Sequence, residues 1–169
     1  MVSFNFRSLV IYRLRGLDST SRKILYNLEH KVLCCMKSTG QVKMDRTIAL
    51  VGLMGAGKSA IGHRLGIRLG LNFFDADVEI ERSAGKTISN IFDLEGEKEF
   101  RRRERRIIKD LLDRPAHVLA TGGGAYMDSK IRNAMNKQGI TIWLRADLDL
   151  LVQRTKYRSG RPLLNKGNA

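Results

Sequence analysis

The residues able to do chemistry are concentrated first in one glycine-rich octapeptide, residues 52–59, with the sequence GLMGAGKS. The pattern G-x-x-x-x-G-K-S is typical of a phosphate-binding loop, whose glycines let several backbone N–H groups point at a polyphosphate. In such loops the lysine, here Lys58, reaches the β- and γ-phosphates, and the hydroxyl, here Ser59, ligates Mg²⁺. The octapeptide therefore predicts binding of a nucleoside triphosphate with magnesium, and it leaves the phosphate acceptor open.

The sequence on either side of this loop supplies the elements that must position it. Residues 47–51 (TIALV) form a short apolar run rich in branched side chains, typical of a strand buried on both faces. After the loop, Ile61, Leu65 and Leu69 recur at spacings of four, as on one face of a helix over residues 59–69. A strand before the loop and a helix after it are the context that the motif requires.

Two carboxylates, Asp75 and Asp77, follow a second predicted strand over residues 71–74. In an open α/β sheet such a strand end lies at the ligand-binding edge. Because residues i and i+2 of an extended chain point to the same side, one carboxylate can support Mg²⁺ while the other faces an acceptor hydroxyl. Aspartate is also a good helix N-cap, and we expect capping and function to coexist here.

Three glycines, Gly122, Gly123 and Gly124, follow a third predicted strand over residues 117–120. Their lack of Cβ atoms permits a ligand to approach bare backbone closely. At the carboxyl end of a buried strand we favour this interpretation over a merely flexible loop.

Five arginines lie within residues 101–106, on a helix that residues 95–97 (EGE) separate from a shorter one. Most are expected on a solvated face, paired at helical spacing with Glu97, Glu99 or Glu104. At least one can bind a carboxylate through two parallel hydrogen bonds, but composition does not select it. The run is also the best candidate in the chain for nucleic-acid binding, although few aromatic side chains are interleaved for stacking.

The remaining elements continue the alternation of helices and strands. Helices are predicted to begin at Thr87, Asp128 and Asp147, and a fourth strand covers residues 140–144. A basic segment over residues 154–164 is similar to the mobile lids that close over phosphates in kinases. The histidines are scattered without evident partners and are interpreted as structural: His30, His63 and His117.

Composition predicts one globular domain. The chain has 169 residues, of which 43% are hydrophobic, and no apolar run approaches the length of a membrane span. The adjacent cysteines, Cys34 and Cys35, lack the spacing of a metal site or disulfide framework and favour a reducing compartment. The formal net charge of +14 suits a protein that binds anions, although a solvated basic surface explains most of it.

Residues 1–46 differ from the rest of the chain because they are rich in arginine and poor in acidic residues. A helix is predicted over residues 21–36. Three interpretations stay open: a basic extension that is poorly ordered or partly helical, a transit peptide, or an over-long start with translation beginning at Met36 or Met44. We favour the extension or the wrong start, which leaves residues 47–169 as the core domain.

Taken together, the motifs resemble those of the shikimate kinases. The phosphate-binding loop, the Asp75–Asp77 pair, Phe100–Arg101, the glycine triplet and residues 161–164 (RPLL) occur in the order and spacing of that family, over about residues 47–165. The resemblance implies a three-layer α/β/α fold with a central parallel sheet, similar to the nucleoside-monophosphate kinases. It also implies ATP-dependent phosphorylation of the 3-hydroxyl of shikimate, on the route to chorismate and the aromatic amino acids.

The resemblance also implies residue roles. Lys58, Asp77 and Arg161 are the catalytic candidates, with Asp77 as the base and Arg161 as the lid arginine. The residues implied to bind the nucleotide are Gly55, Ala56, Gly57, Lys58, Ser59, Ala60, Arg154 and Arg161. Those implied to bind shikimate are Asp77, Arg101, Gly122, Gly123 and Gly124, with Arg101 pairing with its carboxylate. One Mg²⁺ ion is implied to be coordinated by Ser59 and Asp75. The implied enzyme is a cytoplasmic monomer with shikimate and ATP as partners and neither nucleic acid nor membrane.

The chain departs from the family pattern in two places. Ala60 stands where many members have threonine, at little expected cost. Members also continue past the lid with a further helix, a last strand and a final helix, which are missing here, so the fourth strand or its neighbour is expected to be an unprotected edge. We expect weaker binding of shikimate and ATP than in a longer enzyme, with inactivity of the isolated chain as the extreme case. The alternatives are a gluconate-kinase-like enzyme and an inactive nucleotide- or nucleic-acid-binding fragment.

Overall fold

The computed structural model describes the backbone of residues 10–14 and all of residues 45–155. The strands are β1 (Val10–Leu14), β2 (Thr47–Val51), β3 (Phe73–Asp75), β4 (Val118–Ala120) and β5 (Gly139–Ala146). The helices are α1 (Lys58–Leu69), α2 (Ala76–Ala84), α3 (Ile88–Leu112), α4 (Ser129–Gln138) and α5 (Leu148–Thr155), with a 3₁₀ turn at Ala125–Met127. Between residues 45 and 155, every predicted strand and helix is confirmed, with ends that differ by a few residues.

All five strands are parallel and pair in the order β1-β5-β2-β4-β3. The strand that precedes the phosphate-binding loop, β2, lies at the centre, and all five of its residues are buried. Its side chains alternate between the two faces of the sheet, as the period of two in a strand requires. Ile48 and Leu50 pack beneath α1 and α5, whereas Ala49 and Val51 pack beneath α3 and α4. The predicted α/β/α layers are therefore confirmed.

The sheet differs from expectation at one edge. Of the two strands expected at the edge, β5 is not an unprotected one, because its outer side pairs with β1 from Val10↔Ile142 to Leu14↔Ala146. Its neighbour β1 is the outermost strand on that side among those described. From the sequence the residues of β1 were expected to belong to an extension, and no strand was predicted for them. A five-residue segment that includes Arg13 carries little local signal of its own, and the strand depends on pairing with the N–H and C=O groups of β5. The helix predicted over residues 21–36 lies outside the described residues.

Helix α3 is divided at Gly96, whose φ of 82° and ψ of 169° are not helical. We call residues 88–95 the first arm and residues 97–112 the second arm. Thr87 caps the first arm by accepting a hydrogen bond from the backbone N–H of Asn90 at 3.2 Å, which confirms the predicted helix start. The break confirms the separation of two helices that the sequence predicted at residues 95–97.

Among the helices within residues 45–155, none combines the length and the apolar character that crossing a membrane requires.

Candidate active site

The phosphate-binding loop connects the carboxyl end of β2 to the amino end of α1. Gly55 and Gly57 have positive φ values of 80° and 84°, and Gly57 is the N-cap of α1, with no side chain capping the helix. The N–H groups of the first turn are therefore not held by a capping side chain, and the helix dipole adds partial positive charge at the same point. This is the geometry that binds a phosphate group.

Lys58 lies folded back over the loop. Its Nζ donates to the backbone oxygen of Gly52 at 2.7 Å and to that of Leu53 at 3.0 Å, and its side chain is nearly buried. These carbonyl groups hold the ammonium at the mouth of the loop. A bound phosphate would offer it stronger, charged acceptors.

Ser59 and Asp75 meet beside the loop. The Ser59 hydroxyl donates to Asp75 Oδ2 at 2.5 Å, and Asp75 Oδ1 accepts from the backbone N–H of Asp77 at 3.0 Å. The predicted double role of Asp75, as helix cap and as part of the site, therefore has a geometric basis. The assumption of extended geometry was wrong: capping turns the chain into α2 at Ala76, so Asp77 lies in the first helical turn.

Two adjacent oxygen ligands suit a hard cation such as Mg²⁺, which usually keeps several waters and takes further ligands from a polyphosphate. The residues present therefore fit the predicted ion. Residues 45–155 contain no cluster of three or more carboxylate, histidine or cysteine side chains that would hold a metal without such help.

An open pocket of about 430 Å³ lies next to the loop, a volume that suits a small molecule. It is lined by all five residues predicted to bind the acceptor, together with residues of the loop, α2 and α3: Leu53, Met54, Asp77, Val78, Glu81, Ile88, Phe92, Phe100, Arg101, Glu104, Gly122, Gly123 and Gly124. The pocket therefore combines an apolar lining with a few charged groups, as small-molecule sites generally do.

Arg101 is held in place by two carboxylates. Its Nη1 donates to Glu104 Oε2 at 2.7 Å and its Nη2 donates to Glu97 Oε1 at 3.3 Å. Glu104 is only 1% exposed. Burial raises the pKa of Glu104, while the guanidinium of Arg101 opposes that shift. The second oxygen of Glu104 has no hydrogen-bond partner within the described part of the chain.

The other four arginines of the run do not line the pocket, and each pairs with a carboxylate. The predicted pairing at helical spacing with Glu99 is found for Arg102 and Arg103, whereas the partners of Arg105 and Arg106 are not the predicted ones. Arg102 pairs with Glu99, Arg103 with Glu95 and Glu99, Arg105 with Asp128, and Arg106 with Asp110. Arg101 is thus the arginine of the run that lines the pocket.

The glycine triplet leaves space for side chains of the site itself. A Cβ atom on Gly122 would lie 2.8 Å from Glu104 Oε1 and 3.0 Å from Asp77 Oδ1, and one on Gly124 would lie 3.1 Å from Arg101 Nη2. The close approach predicted from the sequence is therefore made by these protein groups at positions 122 and 124. The predicted contact with a ligand stays a prediction.

The remaining predicted residues lie in several places. Arg154 on α5 donates from Nη1 to the backbone oxygen of Gly55 at 3.0 Å, so it contacts the phosphate-binding loop. His117 is buried at the opposite end of β4, with Nδ1 2.9 Å from the backbone oxygen of Pro115, and His63 packs edge-on against Phe73. Neither lines the pocket. Arg161 and His30 lie outside the described residues.

Glu104 was not predicted to be part of the site, because the arginine run and its carboxylate partners were expected on a solvated face. A signal was available: Glu104 lies at helical spacing between Phe100 and Ile108, on the stripe of the second arm that faces the core. A charged residue on an apolar stripe needs a buried partner. Arg101, three residues earlier, is that partner.

Comparisons with known proteins agree on one family. A model of that family, shikimate kinase, matches residues 54–169. The chain is 52% identical to a shikimate kinase of Paramagnetospirillum magneticum over 126 residues, 75% of this chain and 65% of the relative. It is 52% identical to one of Caulobacter vibrioides over 119 residues, 70% of this chain and 60% of the relative. A solved shikimate kinase from Acinetobacter baumannii in complex with shikimate superimposes with a TM-score of 0.70 at 45% identity, covering 72% of this chain and 68% of that one. The chain spans about three fifths of the length of the curated relatives that it matches.

Proposed function

Because this chain belongs to the shikimate kinase family, we propose that it transfers the γ-phosphate of ATP to the 3-hydroxyl of shikimate, giving 3-phosphoshikimate and ADP. The observation that carries the proposal is the shared wall between the phosphate-binding loop and the pocket. Leu53 and Met54 belong to the loop and line the pocket, and a Cβ on Gly123 would lie 3.2 Å from the backbone nitrogen of Met54. A phosphate in the loop and an acceptor in the pocket would therefore be neighbours.

The proposed acceptor is a small hydroxylated carboxylate, and the pocket offers complementary groups. Arg101 supplies a guanidinium that Glu104 and Glu97 hold in one orientation, which suits bidentate pairing with a carboxylate. Asp77 lines the same pocket from a different helix, α2, whereas Arg101 lies on α3. We assign it to the acceptor hydroxyl as the base. Val78, Ile88 and Phe92 supply apolar surface for the ring.

The phosphate-binding loop supplies most of the proposed contacts with the nucleotide. Backbone N–H groups of residues 55–60 bind the phosphates, and Lys58 exchanges its two carbonyl acceptors for phosphate oxygens. Arg154, which contacts the loop at Gly55, stays our candidate for the nucleotide side, and Arg161 stays our candidate for the lid. Phosphoryl transfer depends mainly on positioning and charge neutralisation, and Lys58 and Arg154, which both contact the loop, provide positive charge there.

Ser59 and Asp75 would hold the Mg²⁺ ion that accompanies ATP, with their oxygens already 2.5 Å apart. When bound, such an ion neutralises charge on the β- and γ-phosphates. We extend the proposal to a monomer in the cytoplasm, as is usual for the family. Light scattering of the purified chain tests the monomer, and fractionation of cells tests the location.

The test is calorimetric titration of shikimate into the purified chain, with and without Mg²⁺ and a non-hydrolysable ATP analogue, followed by measurement of ADP release. Arg101→Ala is the test variant and Arg102→Ala the matched control, because Arg102 is an adjacent arginine whose side chain is 66% exposed and pairs with Glu99 outside the pocket. We expect saturable binding that is lost in Arg101→Ala and kept in Arg102→Ala. A folded parent chain that binds no shikimate contradicts the proposal.

A further inference from the structure

The break in α3 places two walls of the pocket on separate arms. Ile88 and Phe92 line the pocket from the first arm, and Phe100 and Arg101 line it from the second. The rings of Phe92 and Phe100 face each other with centroids 4.7 Å apart. The angle between the arms therefore sets the distance between the apolar wall and the guanidinium.

Gly96 makes this angle possible. Its φ of 82° with ψ of 169° belongs to a region that side chains rarely adopt. A Cβ at this position would meet no atom within 4 Å. The demand for glycine here thus comes from the backbone conformation and not from lack of space.

Glu95, next to the break, is paired in two directions. It accepts from Lys86 Nζ at 3.0 Å, in the turn before the first arm, and from Arg103 Nη2 at 2.6 Å, on the second arm. The hydrogen bond from Lys86 lowers the pKa of Glu95, with further lowering by the charge of Arg103, so the carboxylate is ionised near neutral pH. Its pair with Arg103 crosses the break.

Glu99 offers a contrast within the same network. It pairs with Arg102 and with Arg103 at 2.6 and 3.1 Å, and all three residues lie on the second arm. Glu97 likewise pairs with Arg101 inside the second arm. Arg103 therefore pairs with two carboxylates, and among the described residues of α3 only its pair with Glu95 links the two arms.

We propose that Gly96 and Glu95 form a joint that fixes the width of the pocket, which makes Glu95 a positioning residue for the acceptor. Gly96 permits the angle between the arms, and the pair of Glu95 with Arg103 fixes it in addition to the apolar contacts of Ile91 and Phe92 with Phe100. Glu95 does not line the pocket, so it acts through the placement of Phe92 relative to Arg101. The identity of the acceptor as shikimate rests on the function proposed above.

The first readout needs no ligand. Spin labels at Asn90 on the first arm and Lys109 on the second, both exposed, report the distance between the arms in a chain with Cys34 and Cys35 replaced by serine. We expect Glu95→Gln to broaden or shift this distance distribution. The matched control, Glu99→Gln, also removes one carboxylate that accepts from Arg103, but it should leave the distribution as in the parent. An unchanged distribution in Glu95→Gln, or equal changes in both variants, overturns the proposal.

The second readout is the dissociation constant for shikimate. We expect Glu95→Gln to weaken binding by about threefold to fivefold, the upper part of the range for the loss of a partly exposed ion pair. Affinity for the ATP analogue should change less than twofold, because the hydrogen bonds of Glu95 are made with Lys86 and Arg103 and not with the phosphate-binding loop. Glu95→Asp keeps the charge and should recover most of the loss of shikimate affinity. Weakening of shikimate and nucleotide alike would indicate general destabilisation and overturn the positioning role. A parent chain that binds no shikimate would refute the proposed function, while the distance measurement still decides whether the joint exists.

Discussion

Replacing Arg101 with alanine should destabilise the fold in a way that depends on pH, because the change leaves Glu104 buried without its cationic partner. Glu104 is 1% exposed and Arg101 Nη1 lies 2.7 Å from its Oε2. Its other carboxylate oxygen has no hydrogen-bond partner in the part of the chain that is described.

Two limits set the size of the effect. Removing one partner of a buried ion pair costs about 3–5 kcal/mol, and the lower end applies because the Arg101 side chain is 24% exposed. Protonation offers a second route: neutralising a carboxyl group with an ordinary pKa of 4.5 costs about 3.4 kcal/mol at pH 7 and about 0.7 kcal/mol at pH 5. We therefore expect Arg101→Ala to lose about 3 kcal/mol of unfolding free energy at pH 7 and roughly 1 kcal/mol at pH 5.

The direction of the pH dependence follows from the difference between the pKa of Glu104 in the folded and in the unfolded chain. Burial raises the pKa of Glu104, and loss of Arg101 raises it further. A carboxyl group with a raised pKa stabilises the fold fully below its ordinary value of 4.5 and loses that contribution as the pH rises through the raised value. The difference between variant and parent should thus shrink steadily as the pH falls from 7 towards 5.

Urea unfolding followed by the fluorescence of Trp143, the one tryptophan of the chain, measures this difference at each pH. Arg102→Ala, the matched control, should be unchanged within error at every pH. The double variant Arg101→Ala/Glu104→Gln should recover about 1–2 kcal/mol relative to Arg101→Ala at pH 7 and show no pH dependence of its own from this site. Equal destabilisation of Arg101→Ala at pH 5 and pH 7, or no recovery in the double variant, would refute the reasoning.

Three further predictions concern other parts of the domain. Gly122→Ala should cost about 1–3 kcal/mol in urea unfolding, because its Cβ would lie 2.8 Å from Glu104 Oε1; parental stability would contradict the packing described. Burial lowers the pKa of His117, so the fold loses stability as the pH falls below the ordinary value of 6.5 and the unfolded chain takes up the proton. The pH slope of unfolding below 6.5 should be smaller in His117→Gln than in the parent, and an unchanged slope would exclude this residue as its source. Asp75→Asn keeps a good helix cap, so melting should change little, while the Mg²⁺-dependent affinity for the ATP analogue should fall about tenfold; equal affinity in titrations with Mg²⁺ would remove Asp75 from the metal site.

The parts of the site that could be predicted from the sequence are those encoded by neighbouring residues. The octapeptide around Lys58 specifies its own backbone conformation, and its strand and helix show the expected periods. Asp75 could be identified both as a cap and as a site residue because capping acts over two or three residues. Arg101 required the resemblance, since five arginines within six residues have nearly the same local surroundings.

The parts that could not be predicted depend on contacts between distant segments. Nothing near Gly122 in the sequence shows that Glu104 and Asp77 fill the space beside it. The burial of Glu104 depends on how the second arm packs against β4 and α4. The extended geometry assumed for Asp77 failed because a helix cap outweighed the continuation of a three-residue strand.

The pairing of β1 with β5 has a consequence for the order in which the protein assembles. Val10 precedes the phosphate-binding loop and both walls of the pocket in the chain, and its partner Ile142 follows all of them, so Ile142 is synthesised only after they have been made. Contacts between such distant residues form late, because closing so long a loop costs chain entropy. Other contacts that have already formed must shorten the loop or offset this cost. The centre of the sheet, where β2 meets β4 and then β5, can form before β1 adds to it. During synthesis, the outer side of β5 is therefore an open strand edge for as long as β1 has not yet docked.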